Sequence, residues 1–189
     1  MKSFATYALF GGSFDPPHAG HQKIVDAVLK LDWIDAVIIS PAFKNPFKEQ
    51  YNASPSLRLE WCKTLFKGSD KIVNNFEIEQ NRAVYTIEAF NHLSKLYNIQ
   101  AIVIGADNLK SIQKWRDFEA LNSKVKWIVI SRPNEPLETS ALREFSVVPI
   151  EINISSSEIR NGKKLDFVDS AIKKQVLKEY NLLKNSESQ

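Results

Sequence analysis

Short runs rich in β-branched and aromatic residues alternate with segments of helical period along the whole chain. That alternation restricts the fold more than any other feature of the sequence. Strand candidates occupy residues 4–10, 36–40, 71–74, 101–104, 125–131 and 147–149. Helix candidates fall at 19–31, 54–66, 84–97, 109–113, 118–121, 156–161 and 166–182. Strand–helix–strand units close as parallel pairs with right-handed crossovers, so the expected class is α/β: a doubly wound, mostly parallel sheet with helices on both faces. At 189 residues the chain suits a single domain, expected over 1–183, with 184–189 as a frayed tail.

Composition narrows the function classes. Lys and Arg number 25 against 22 Asp and Glu, a formal charge of +3. That mild excess suits a small anionic substrate and falls short of a nucleic-acid-binding stripe. Cys62 is the only cysteine, which excludes an intrachain disulfide and every multi-cysteine zinc pattern. With no signal-peptide core and no stretch of membrane-spanning length, the chain is expected to be cytoplasmic, with no membrane partner.

Ligands on such sheets bind beyond the carboxyl ends of the strands, where the chain collects its unusual residues. Gly11-Gly12-Ser13-Phe14-Asp15-Pro16-Pro17-His18-Ala19-Gly20-His21 follows the first strand candidate and leads into a helix. The glycines allow close backbone approach, the prolines stiffen the path, and unpaired N–H groups at the helix start favour an anion. His18 and His21 lie three apart, so both rings can face one ligand; a helix cap with two surface histidines is the ordinary alternative. No G-x-x-x-x-G-K-S/T run and no G-x-G-x-x-G turn is present, which weakens the P-loop and NAD-dependent dehydrogenase readings. His92 and Cys62 lack metal-ligand spacing, so no metal site built from protein side chains is expected. Ser155, Ser156 and Arg160 form a second phosphate candidate, a capped helix start followed one turn on by a forked cation. Gly105 and Asp107 end the fourth strand candidate, where Gly-x-Asp often marks only a turn and a cap. Trp115 and Tyr85 read as core on composition alone, and the loop after residue 41 carries Lys44 and Lys48.

The G-G-S-F-D-P-P-H-A-G-H run resembles the signature of the nucleotidyltransferase superfamily with H-x-G-H turns. Further segments are similar to those of bacterial nicotinate-nucleotide adenylyltransferases. Ile104-Gly105-Ala106-Asp107-Asn108-Leu109 with Trp115 resembles the family's I-G-x-D-x-L…W element, and Val84-Tyr85-Thr86 its S-Y-T element. Arg132-Pro133 resembles its R-P loop, and Ile154-Ser155-Ser156-Ser157-Glu158-Ile159-Arg160 its I-S-S-T-x-I-R element. All occur in the family's order.

The resemblance implies a Rossmann-like fold and adenylyl transfer from ATP to nicotinate mononucleotide, with pyrophosphate released and Mg²⁺ accompanying ATP. The acceptor's phosphate is already ionised, so no protein nucleophile or base is needed, and positioning and charge stabilisation carry the reaction. By resemblance, His18, His21 and Arg160 are catalytic. Gly11, Gly12, Ser13, Gly105, Asp107, Ser155 and Ser156 join them around ATP. Lys44, Lys48, Tyr85, Thr86, Trp115 and Arg132 serve the acceptor. The chain departs from the family at Val84, Phe47, Asn134-Glu135 and Arg116. These positions flank the acceptor or adenine pockets, so nicotinamide mononucleotide stays open as acceptor, as does the oligomeric state. Phosphopantetheine adenylyltransferase shares only the opening turn, and a non-catalytic nucleotide- or RNA-binding module is the reading from another class.

Overall fold

The computed structural model describes residues 5–44, 52–132, 136–151 and 153–183. The expectations for Phe47, Lys48, Pro133, Asn134-Glu135 and 184–189 lie outside these residues. Six strands, β1 (Tyr7–Gly12), β2 (Ala36–Pro41), β3 (Lys71–Val73), β4 (Ile99–Gly105), β5 (Lys126–Ser131) and β6 (Phe145–Pro149), form one sheet in the order β3-β2-β1-β4-β5-β6. Every pairing is parallel. The order reverses between β1 and β4, and that switch point is where an open α/β sheet leaves a crevice for ligands.

Alternation along the strands explains the layers. Leu9, Ile38, Ile102, Ile104, Trp127 and Val129 join one buried cluster. Ala8, Phe10, Val37, Ile39, Ala101, Val103, Ile128 and Ile130 join another. Neighbouring residues of a strand point to opposite faces, so β1, β2, β4 and β5 each feed both clusters and both faces need helical cover. Helix α4 (Thr86–Leu93), a 3-10 helix at Ala106–Lys114 and α5 (Phe118–Asn122) cover the first; α1 (Ala19–Val28) and the end of α2 (Pro55–Leu65) cover the second. A third cluster centred on Trp61, Ile159 and Val176 ties α2 to α6 (Ser156–Arg160) and α7 (Ser170–Glu179).

Boundaries differ where local chemistry intervenes. β1 runs through Gly11 and Gly12, which pair with Ser40 and Pro41, so the glycines end the strand and do not form the bend. The 166–182 segment divides into a 3-10 turn (Leu165–Phe167) and α7, because the Asp169 carboxylate accepts from Ala171 N–H at 2.9 Å and starts a new helix. The four-residue α3 (Phe76–Glu79) was not anticipated, being too short for a periodic signal. Among the described residues no helix is long and apolar enough to cross a membrane.

Candidate active site

Beyond β1 the backbone reverses at Phe14, which takes φ 49° and buries its ring 4.9 Å from that of His21 and 5.4 Å from that of Phe10. The turn then delivers two histidines to the start of α1. Gly20 N–H donates to His18 Nδ1 at 3.1 Å, and His18 N–H donates to His21 Nδ1 at 3.2 Å. This is a reciprocal capping box built from imidazoles. A ring nitrogen that accepts carries no hydrogen, so the proton of each neutral ring sits on Nε2, the remaining donor. Burial, with Arg132 nearby, lowers the His18 pKa to about 4. Burial, His18 and Arg132 also push His21 well below its ordinary value. Gly20 is required by closeness, since a Cβ there would lie 2.9 Å from the His18 ring.

Four buried or half-buried side chains lock this turn to the rest of the fold. The fully buried Arg58 donates to four carbonyls: Ser13 (2.5 Å), Ala42 (2.7 Å), Phe43 (3.1 Å) and Ala53 (3.2 Å). Asp15 accepts from Asn52 and Ala53 N–H at 3.2 and 3.1 Å and from the Tyr180 hydroxyl at 2.7 Å. Arg160 donates to the Asp15 carbonyl at 2.5 Å and to Ser157 Oγ at 2.9 Å, while Ser156 Oγ donates to the Pro16 carbonyl at 2.9 Å. Helix α6 is thereby clamped onto the turn.

Two chambers open over the switch point. The smaller, about 230 Å³, is lined by His18, Gly105, Arg132, Ile154 and Ser155 among others. The larger, about 520 Å³, is lined by Gly11, Gly12, Ser13, Ser40, Glu77, Tyr85, Thr86, Trp115 and Arg116 among others. They share His21, Ile24, Gly105, Asp107 and Ser156 as a common wall. At that wall Asn108 Nδ2 donates to the Asp107 carboxylate at 3.0 Å. Gly105 makes room for it, as a Cβ would meet Asp107 Oδ1 at 2.5 Å. Trp115 packs edge-on against the buried Trp127, ring centroids 6.1 Å apart, and also lines the larger chamber.

Glu77 is buried and accepts from Ser40 Oγ at 2.8 Å. Burial raises its pKa from 4.5 to about 7, opposed by the Ser40 hydrogen bond and by Arg58. Between those two values the unfolded chain holds Glu77 ionised and the folded chain holds it protonated. Folding therefore takes up a proton, and stability falls as pH rises through this window by roughly 3 kcal/mol. Denaturant melts of wild type and Glu77→Gln from pH 4.5 to 8 should diverge by that slope. Parallel curves would assign Glu77 an ordinary carboxylate pKa.

The Cytidylyltransferase-like family matches residues 9–162 of the chain. A Sulfurovum protein named nicotinate-nucleotide adenylyltransferase is 42% identical over 172 residues, covering 90% of this chain and 92% of that protein. A Campylobacter fetus protein of the same name is 42% identical over 178 residues, with 92% and 95% covered. The chain belongs to the nicotinate-nucleotide adenylyltransferase family. The fold agrees with the Plasmodium falciparum nicotinic acid mononucleotide adenylyltransferase complexed with NaAD, at a TM-score of 0.77, 19% identity, and 94% and 97% coverage.

Against the roles that membership in this adenylyltransferase family implied, the structure gathers most expected residues but redistributes some. His18, Gly105, Asp107, Ser155 and Ser156 meet around the smaller chamber; Tyr85, Thr86 and Trp115 meet in the larger. Gly11, Gly12 and Ser13, expected at ATP, line the larger chamber. Arg132, expected beside the acceptor, lines the smaller one, where it donates to the Ile154 carbonyl at 3.3 Å. Arg160 lines neither chamber, being engaged with Asp15 and Ser157, and Lys44 is exposed and lines neither. Asp107 follows the helix cap, which is Gly105. Asp15, Arg58 and Glu77 escaped the sequence reading. For Arg58 a signal existed: with Trp61, Cys62 and Leu65 it forms an i, i+3, i+4, i+7 stripe, which places a cation in the middle of an apolar face.

Proposed function

We propose that the two chambers hold the two substrates of one adenylyl transfer, ATP in the smaller and nicotinate mononucleotide in the larger. The observation that carries this assignment is their common wall of His21, Asp107 and Ser156, where two phosphates can meet. An oxygen of the acceptor's phosphate forms a bond to the α-phosphorus of ATP. The bond from that phosphorus to the β-phosphate bridging oxygen breaks, and pyrophosphate leaves with the electron pair. Nicotinate adenine dinucleotide, the dinucleotide precursor of NAD, is the product.

The protein's part is placement and charge. Nε2–H of His18 and of His21 donates to the triphosphate as charge builds on its oxygens. Arg132 adds a fixed positive charge on the same side, and Ser155 and Ser156 supply hydroxyls. Asp107 accepts from the ribose of ATP. Tyr85 and Trp115 flank the pyridine, and Thr86 hydrogen-bonds its substituent. Arg160 exchanges Ser157 for the leaving pyrophosphate.

Among the described residues no group of three or more His, Cys, Asp or Glu is placed to hold a metal ion, and the Asp15 carboxylate is committed to two amides and Tyr180. Mg²⁺ would accompany ATP and neutralise its triphosphate. A pyrophosphate-release assay with ATP, Mg²⁺ and nicotinate mononucleotide should give product, and EDTA should abolish it. No dinucleotide with this acceptor, while another mononucleotide reacts well, would overturn the assignment.

A further inference from the structure

We propose that Arg116 selects the acid form of the pyridine ring, its guanidinium pairing with the carboxylate of nicotinate mononucleotide in the larger chamber. The proposal rests on the reading of that chamber as the acceptor's. Among the described residues, Arg116 carries the one fixed positive charge on its lining, where Glu77 and Asp107 carry the acidic groups. The guanidinium carbon stands 5.0 Å from the centroid of the Tyr85 ring, so the charge is held beside the aromatic face and next to Trp115 in sequence. Nearby Glu88 is already occupied: it pairs with Arg82 at 3.2 Å and accepts from Tyr85 N–H at 2.9 Å. Among the described residues Arg116 itself enters no ion pair.

Geometry orients the acceptor. Its phosphate must reach the common wall at His21 and Ser156, which leaves the ring for the lining that the smaller chamber does not share, where Tyr85 and Trp115 offer aromatic faces and Arg116 stands over the Tyr85 ring. A flat ring lodged there brings its substituent within reach of a planar, permanently charged fork. Carboxylate and carboxamide have nearly the same shape, so size cannot separate them. Charge can, because a guanidinium–carboxylate pair is a charge-assisted, bidentate contact that the amide cannot reproduce. Arg116 is a specificity-determining residue of this chain.

The test is a side-by-side measurement of kcat/KM for nicotinate and nicotinamide mononucleotide in wild type, Arg116→Gln and Arg116→Lys. Arg116 is exposed, so neither substitution disturbs the core. Glutamine should reduce the preference for the acid about tenfold, the change lying in the KM for nicotinate mononucleotide, as expected for one lost charge-assisted contact. Lysine, which keeps the charge without the fork, should restore part of that preference, which a merely structural role for the side chain would not produce. An unchanged acid-to-amide ratio in the glutamine variant, with dinucleotide still formed, would overturn the role of Arg116 alone. If wild type forms no dinucleotide from nicotinate mononucleotide, the acceptor assignment falls first and takes this proposal with it.

Discussion

Replacing His18 with alanine is expected to lower turnover by about 100- to 1,000-fold, the range for removing one preorganised donor from developing transition-state charge. The side chain does two jobs, and they can be separated. Its Nδ1 caps α1 through Gly20 N–H, while Nε2–H remains for phosphate. Alanine removes both and should also cost about 1 kcal/mol of stability. Asparagine can keep the cap, because its carbonyl oxygen accepts from the same amide, but it has no counterpart of Nε2–H aimed into the chamber. His18→Asn should therefore melt close to wild type and still lose most of the turnover. Recovery of turnover in the asparagine variant would reduce His18 to a helix cap. Because the His18 pKa falls to about 4 from 6.5 and His21 moves the same way, the unfolded chain protonates first as pH drops. The stability these rings contribute is complete above pH 6.5 and is lost toward pH 4, opposite in sign to the Glu77 effect.

The histidine turn was readable because its logic is local. The His18–His21 box spans three residues, and Gly20 between them is explained by the ring that sits against it. The layer arrangement was readable for a similar reason, as alternation within a strand reports two covered faces without any partner being known. Long-range partners are a different matter. Asp15 finds its contacts 37, 38 and 165 positions away, and Arg160 reaches back 145 positions to Asp15. Nothing near either residue in sequence announces those meetings. The same limit applies to Arg132: it lines the smaller chamber and donates to the Ile154 carbonyl 22 positions away, a meeting that its place in the sequence does not announce. Glu77 was hidden by the brevity of α3, four residues in a stretch that otherwise looks like a polar loop.

Arg58 carries the second large expectation, this time on stability. Its guanidinium gathers carbonyls from Ser13, Ala42, Phe43 and Ala53, three separate segments that converge at the mouth of the larger chamber. Ser13 and Ala42 themselves line that chamber. Arg58→Ala leaves these buried acceptors without their donor and opens a void, with an expected loss of about 3–5 kcal/mol. Arg58→Met fills much of the volume but supplies no N–H, so it isolates the polar part; with each orphaned acceptor costing about 1–3 kcal/mol, it should recover little. Substrate binding gives an independent readout. With the Ser13 and Ala42 backbone no longer held together, the KM for nicotinate mononucleotide should rise more than the KM for ATP, whose chamber is walled by α6 and Arg132. Denaturant melts and the two KM values, measured on the methionine variant under conditions where it stays folded, decide the matter. A methionine variant within 1 kcal/mol of wild type and with both KM values unshifted would mean that the turn holds its shape without Arg58, on the histidine box, the Asp15 hydrogen bonds and the α6 clamp.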